Sequence, residues 1–132
     1  MSKLFNAVSV WGGAIGGIIA YFLGGWDVLL KTIVFLAVLD YITGLIKGIY
    51  LKQLSSEVGY KGLLKKVFMF IVIAVAYEIQ KFLNHAIALR EIVITFYVCN
   101  EAISLLENVA EFIPIPDKLK TVLVQLRDKE DE

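Results

Sequence analysis

Residues 4–23 are apolar almost without interruption, and residues 28–49 and 67–84 are apolar apart from a few isolated charges. Runs of this length match the roughly 20 residues that an α-helix needs to cross the hydrocarbon core of a bilayer. They predict transmembrane helices at about 4–24, 28–49 and 67–84. Gly24-Gly25-Trp26-Asp27 forms the first turn, with Trp26 suited to the membrane–water interface. Residues 50–66, with Ser55-Ser56, Gly59 and Gly62, read as a connecting loop. His85 falls between the third and fourth segments and reads as a loop residue.

The fourth segment, about 87–113, has a different pattern. Turned at the α-helical step, it places Arg90, Tyr97, Asn100, Glu101, Ser104, Glu107, Asn108 and Glu111 within an arc of roughly 120°. Ile92, Phe96, Cys99, Ile103, Leu106 and Ala110 fall on the other side. From Arg90 to Asn108 is about 27 Å of helix, close to the hydrocarbon thickness. This helix is long enough to cross and too polar on one side to face lipid. It either crosses with its polar side toward other helices or a pore, or lies flat at the interface. Pro114-Ile115-Pro116 stops it, because the residue before a proline is pushed to extended conformations. Asp117 then caps a short final helix at about 117–127, and 128–132 reads as a frayed charged tail. The predicted fold is an all-α integral membrane protein in one domain, 1–132. It has three transmembrane helices, a fourth amphipathic helix that crosses or lies at the interface, and a short C-terminal helix.

Composition supports the membrane reading. The chain is 58% hydrophobic and only 20% charged, with a mean hydropathy of +0.74, and its charges are clustered. The net charge is zero and no basic-aromatic patch is present, which argues against a nucleic-acid partner. The 4–23 run exceeds the apolar stretch of a cleaved signal peptide, so it reads as a retained helix. Basic residues then set the topology. Lys3, Lys47, Lys52, Lys61, Lys65, Lys66, Lys118, Lys120, Arg127 and Lys129 collect on one side if four helices cross, leaving Lys31, Lys81 and Arg90 on the other. Both termini are expected on the cytoplasmic side of the membrane.

Three features inside the helices bear on chemistry. Gly12, Gly13, Gly16, Gly17 and Ala20 form ridges at four-residue spacing, which in lipid lets helix backbones approach closely; Gly44 adds a small site in the second helix. Asp40 shares a face with Thr43, Gly44 and Lys47 at a depth where a carboxylate costs about 2.5–3.5 kcal/mol, so it must face protein or water. Glu78 lies late in the third helix, three residues from Lys81, a spacing that favours a local pair. The single Cys99 reads as a small buried side chain. The sequence offers no nucleophile–base pair, metal cluster or phosphate loop, so no catalytic residue, metal or cofactor is expected.

These residues together resemble the phage holin family, including its toxin-secretion branch. The matching pieces are Asp40 with Gly44, Leu54-Ser55-Ser56, Gly59, Gly62-Leu63 with Lys65-Lys66, and then Tyr97, Asn100-Glu101, Ser104 and Glu107-Asn108. Pro114-Ile115-Pro116 and the final helix complete the set. Phe112-Ile113 stands where family members often carry glycine, and Glu78 where they often carry aspartate. The resemblance implies a protein that self-associates in the bacterial membrane. It further implies a timed lesion through which an endolysin, or in some relatives a toxin, leaves as cargo without specific binding.

Two arrangements of the fourth helix carry the same residue preferences. Its polar arc is either the wall of a pore in an assembled homo-oligomer or the buried seam of a helical bundle. In the first arrangement Asn100, Glu101, Ser104 and Asn108 are satisfied before opening by one another and by Asp40 or Glu78. Outside lysis, the same residues fit a small ion or proton channel using Asp40, Glu78 and Glu101 as a relay. A membrane adaptor that binds a cytoplasmic partner through the loop and final helix is the remaining reading.

Overall fold

Asp27 and Ser55 start two of the helices in the same way. Each sits in an extended conformation just ahead of its helix and accepts a hydrogen bond from an amide three residues on, Asp27 Oδ1 from Leu30 at 2.9 Å and Ser55 Oγ from Val58 at 3.1 Å. Such caps satisfy amides that have no partner inside the helix. The structure, a computed structural model, describes residues 1–130. Its elements are α1 (Ser2–Leu23), α2 (Val28–Tyr50), α3 (Ser56–Phe82), α4 (Leu89–Ala110) and α5 (Asp117–Glu130). Asp131 and Glu132, the end of the expected tail, lie outside the described residues; 128–130 continue α5.

The third helix corrects the sequence reading. The expected loop at 50–66 is only five residues long between α2 and α3, because the Ser55 cap starts α3 eleven residues before Val67. Lys61, Lys65 and Lys66 are therefore helical, and Lys66 is largely buried. Asn84, expected inside the helix, stands beyond it at φ 54, next to His85 at φ 61, in the turn leading to α4.

Among the described residues, the helices long and apolar enough to cross a membrane are α1, α2 and α4. α3 has the length, at 27 residues, but Lys61, Lys65, Lys66, Glu78 and Lys81 leave only 67–77 free of charge at its centre.

Residue pairings fix the topology. Asp27 meets Arg90, Asp40 meets Asn108, and Lys47 lies beside Glu111, so α2 and α4 run in the same direction. Lys66 reaches Asp40 while Gln80 reaches Arg90, so α3 runs against both. α1 ends where α2 begins and packs on α3. α5 turns back along α4, placing Lys120 beside Glu107 and Arg127 beside Asn100.

α4 is the central element, packed against α2, α3 and α5. Leu30, Ile33, Ile73 and Ile94 are fully enclosed, with Leu23, Ala37 and Met69 around them. Outward, the bundle presents Phe35, Ile42, Phe68, Ile71 and Val75, a surface suited to lipid chains.

α1 is different. It is exposed from Ser2 to Ile15, and a Cβ added at Gly12, Gly13, Gly16 or Gly17 would meet nothing within 4 Å. Among the described residues, their small-residue ridge therefore has no helix against it. Ala20 is buried, and Gly16 carries a hydrogen bond from Trp26 Nε1 to its carbonyl at 3.3 Å. Gly44 does pack, since a Cβ there would lie 3.6 Å from Asn108 Nδ2.

Candidate functional site

Asp40 on α2, Lys66 on α3 and Glu101 on α4 meet inside the bundle. Lys66 Nζ donates to Asp40 Oδ2 at 2.8 Å and to Glu101 Oε1 and Oε2 at 3.1 and 3.0 Å. Asp40 and Glu101 are only 8% and 9% exposed, so each needs the ammonium as its counter-charge. Asn108, two turns beyond Glu101, donates from Nδ2 to Asp40 Oδ1 at 3.0 Å, to the Asp40 carbonyl at 3.2 Å and to Thr43 Oγ1 at 3.1 Å. Thr43 in turn donates to the carbonyls of Leu39 and Asp40. The result is one polar network joining three helices, with two carboxylates held by one cation.

Beside this network a cavity of about 210 Å³ opens toward the α2–α3 connection. Asp40, Lys66, Ser104 and Asn108 line its floor, and Tyr41, Gly59 and Gly62 are among its walls. The glycines allow the close approach. A Cβ on Gly62 would lie 3.5 Å from the Tyr41 ring, while the Tyr41 hydroxyl donates to the Gly59 carbonyl at 3.0 Å.

A second network closes the opposite end of the bundle around Arg90, which is 2% exposed. Its Nη1 donates to Asp27 Oδ2 at 2.7 Å, Nη2 to Asp27 Oδ1 at 3.0 Å and to the Gly25 carbonyl at 3.2 Å, and Nε donates to the Leu23 carbonyl. The Arg90 amide donates to Gln80 Oε1 at 2.8 Å, and Gln80 Nε2 lies 3.2 Å from His85 Nδ1. One guanidinium thus ties the end of α1, the cap of α2 and the start of α4, while its amide holds α3.

The hydrogen bonds from Arg90 hold the Asp27 carboxyl below its usual value of 3.8. A depressed carboxylate contributes stability that is complete above the unfolded-state pKa and is lost as pH falls through the folded one. Thermal stability in detergent is therefore expected to hold down to about pH 4 and to fall below it. Comparing melting curves of the parent and Asp27→Asn at pH 5 and pH 3 checks this; an equal acid loss in both removes Asp27 as its source.

The polar arc read from sequence is divided among four environments. Glu101, Ser104 and Asn108 face α2 and α3, and Arg90 sits in the end clamp. Tyr97 packs against the apolar core. Asn100 and Glu107 face α5. Within one chain the arc is a seam rather than an open face. Glu78 does not join Asp40 and Glu101; it pairs with Lys81 at 2.9 Å and its side chain is 72% exposed, so a relay through all three carboxylates is not assembled.

Sequence reasoning missed Lys66, which it placed in a loop, and the capping role of Asp27. The depth of Asp40 was the available signal for Lys66, because a carboxylate there requires a cation from another helix.

The sequence matches the family model described as the bacteriophage holin family over residues 17–128. Among curated proteins, an uncharacterised 14.9 kDa protein in the nagH 3′ region of Clostridium perfringens is 38% identical, covering 98% of this chain and 99% of its own. An uncharacterised protein of Listeria monocytogenes is 39% identical over 89% of this chain and 84% of its own. A probable holin of Bacillus phage phi105 is 34% identical over 61% of each chain. No solved structure matches the chain.

Proposed function

We propose that this chain, which belongs to the bacteriophage holin family, works as a holin: it associates with copies of itself in the bacterial cytoplasmic membrane and opens a lesion at a set time. An endolysin, or in a secretion setting a toxin, then leaves through it as cargo. The observation that carries this reading is the Asp40, Lys66, Asn108 and Glu101 network, a polar seam inside a bundle of apolar helices. Interhelical hydrogen bonds in lipid are worth about 0.6–2 kcal/mol each, strong enough to hold a closed bundle and weak enough to be exchanged. In the closed chain the seam is satisfied internally. In the assembled lesion Glu101, Ser104 and Asn108 exchange those partners for water and for neighbouring copies, with α4 crossing the membrane. Carboxylates carried into the membrane as α4 crosses also couple opening to the potential, at about 2.3 kcal/mol per elementary charge per 100 mV.

Induced expression in a bacterium, with and without a cytoplasmic endolysin, tests the reading. Abrupt loss of membrane potential after a delay, followed by endolysin-dependent lysis, is expected. Gradual depolarisation without endolysin release would instead make the protein a small channel. Glu101→Leu is expected to change the delay, because it removes one carboxylate from the seam and leaves Lys66 with Asp40 alone. An unchanged delay and unchanged permeability would remove this face from the opening mechanism.

A further inference from the structure

The position of α5 conflicts with a bundle fully immersed in lipid. α5 lies back along α4, with Lys120 Nζ 3.4 Å from Glu107 and Arg127 Nη1 donating to Asn100 Oδ1 at 3.3 Å. Asn100 lies about 15 Å of helix before Ala110, the end of α4. Docked α5 therefore carries Arg127 to the middle of α4, and it brings exposed Lys118, Asp128 and Lys129 with it. A single charge at mid-depth of the hydrocarbon lowers insertion by about 100-fold, and α5 holds several.

α3 marks the same boundary independently. Exposed Lys65 adjoins Lys66, which is level with Asp40 and Glu101, and exposed Glu78 marks the other limit. The uncharged residues 67–77 between them span about 16 Å, roughly half of a 30 Å hydrocarbon core. α2 disagrees with both helices. Ile42, Ile46 and Ile49 are exposed at the level where α3 and α5 present charge. That half of the bundle is built for lipid on one side and for water on another.

We propose that α5 is a removable strap: docked on α4 it keeps residues 101–110 out of the hydrocarbon, and undocked it lets α4 cross. Ile103 lies three residues after Asn100 and four before Glu107, so it shares the strapped face, and it is only 6% exposed. Undocking uncovers this apolar residue together with Asn100 and Glu107. Pro114-Ile115-Pro116 is the joint between the two helices. The strap rests on the holin reading for its consequence, the timing of lysis. Mutual exclusion between docking and crossing can be read separately.

The test places one thiol on α4, Ala102→Cys in a Cys99→Ala background, and measures its labelling by a membrane-impermeant maleimide in inverted membrane vesicles. In the full chain the thiol is expected to label readily. In a chain ending at Pro116 it is expected to label at least tenfold more slowly, because residue 102 has entered lipid. Lys120→Glu, which opposes Glu107, should slow labelling roughly two- to fivefold, and adding Glu107→Lys should restore it. These two variants decide the question if the truncated chain does not accumulate. Equal labelling with and without α5, or protection in the full chain, overturns the strap. If the full chain neither depolarises cells nor releases endolysin while the labelling difference stands, the holin reading fails and mutual exclusion survives. Lysis on time with no labelling difference overturns the strap alone.

Discussion

Lys66→Met is expected to cost the bundle about 3–5 kcal/mol, the range for removing one partner of a buried ion pair. The substitution keeps the length of the side chain and deletes its charge. Asp40 and Glu101 are then left facing each other with no cation between them, both nearly enclosed. Glu101→Gln should cost less, because Lys66 and Asp40 remain a neutral pair with Asn108 still bonded to the carboxylate. The ordering is the sharper expectation. Combining Lys66→Met with Asp40→Asn and Glu101→Gln should recover much of the loss, since no unpaired charge then remains. Unfolding in mixed micelles, followed by circular dichroism, measures the series. If Lys66→Met and Glu101→Gln cost the same, the three side chains do not share one cation.

Arg90→Met is expected to cost about 3 kcal/mol and to loosen the opposite end of the bundle. It strands the Leu23 carbonyl, leaves the Gly25 carbonyl with only the Asp27 amide, and leaves the Asp27 carboxylate with only its capping bond to Leu30. Asp27 is half-exposed and regains water, which holds the cost below that of Lys66→Met. The Arg90 amide keeps its bond to Gln80, so α3 and α4 should stay together while α1 swings free. Gly24→Ala tests the same joint from the other side. Gly24 has φ +93, and a Cβ there would collide with the Arg90 side chain, so the substitution combines left-handed strain with a displaced guanidinium. Limited proteolysis at the α1–α2 turn should rise for both variants. Unchanged protection in Arg90→Met would mean that packing of α1 on α3 alone holds that end.

The two charged networks also divide the work of holding the bundle. In lipid, apolar packing between helices has little hydrophobic drive behind it, because the lipid chains are equally apolar. Interior polar contacts therefore select which helices are neighbours. Arg90 aligns the starts of α2 and α4 through Asp27, and Lys66 ties both to α3 some 18 Å further along α2, as estimated from helix rise. The path of α4 is fixed at two heights by charge and between them by Ile94 and Tyr97.

The helical character of the chain, its long apolar segments and the polar arc on the fourth one were legible because each depends on local periodicity and length. The break at Pro114-Ile115-Pro116 was legible for the same reason, as proline restricts its own neighbours. The extent of α3 was not, because lysines at 61, 65 and 66 read as loop charges until the Ser55 cap and a buried partner show otherwise. Local periodicity determined which residues share a polar face. Only the tertiary structure decided what they face, because the interior of a bundle and the wall of a pore select the same side chains. It set Glu101 and Asn108 against α2 and α3, Arg90 into a clamp with Asp27, and Asn100 and Glu107 beneath α5. Those pairings join residues far apart in the chain, and only the packing of whole helices determines which side chains come within hydrogen-bond reach.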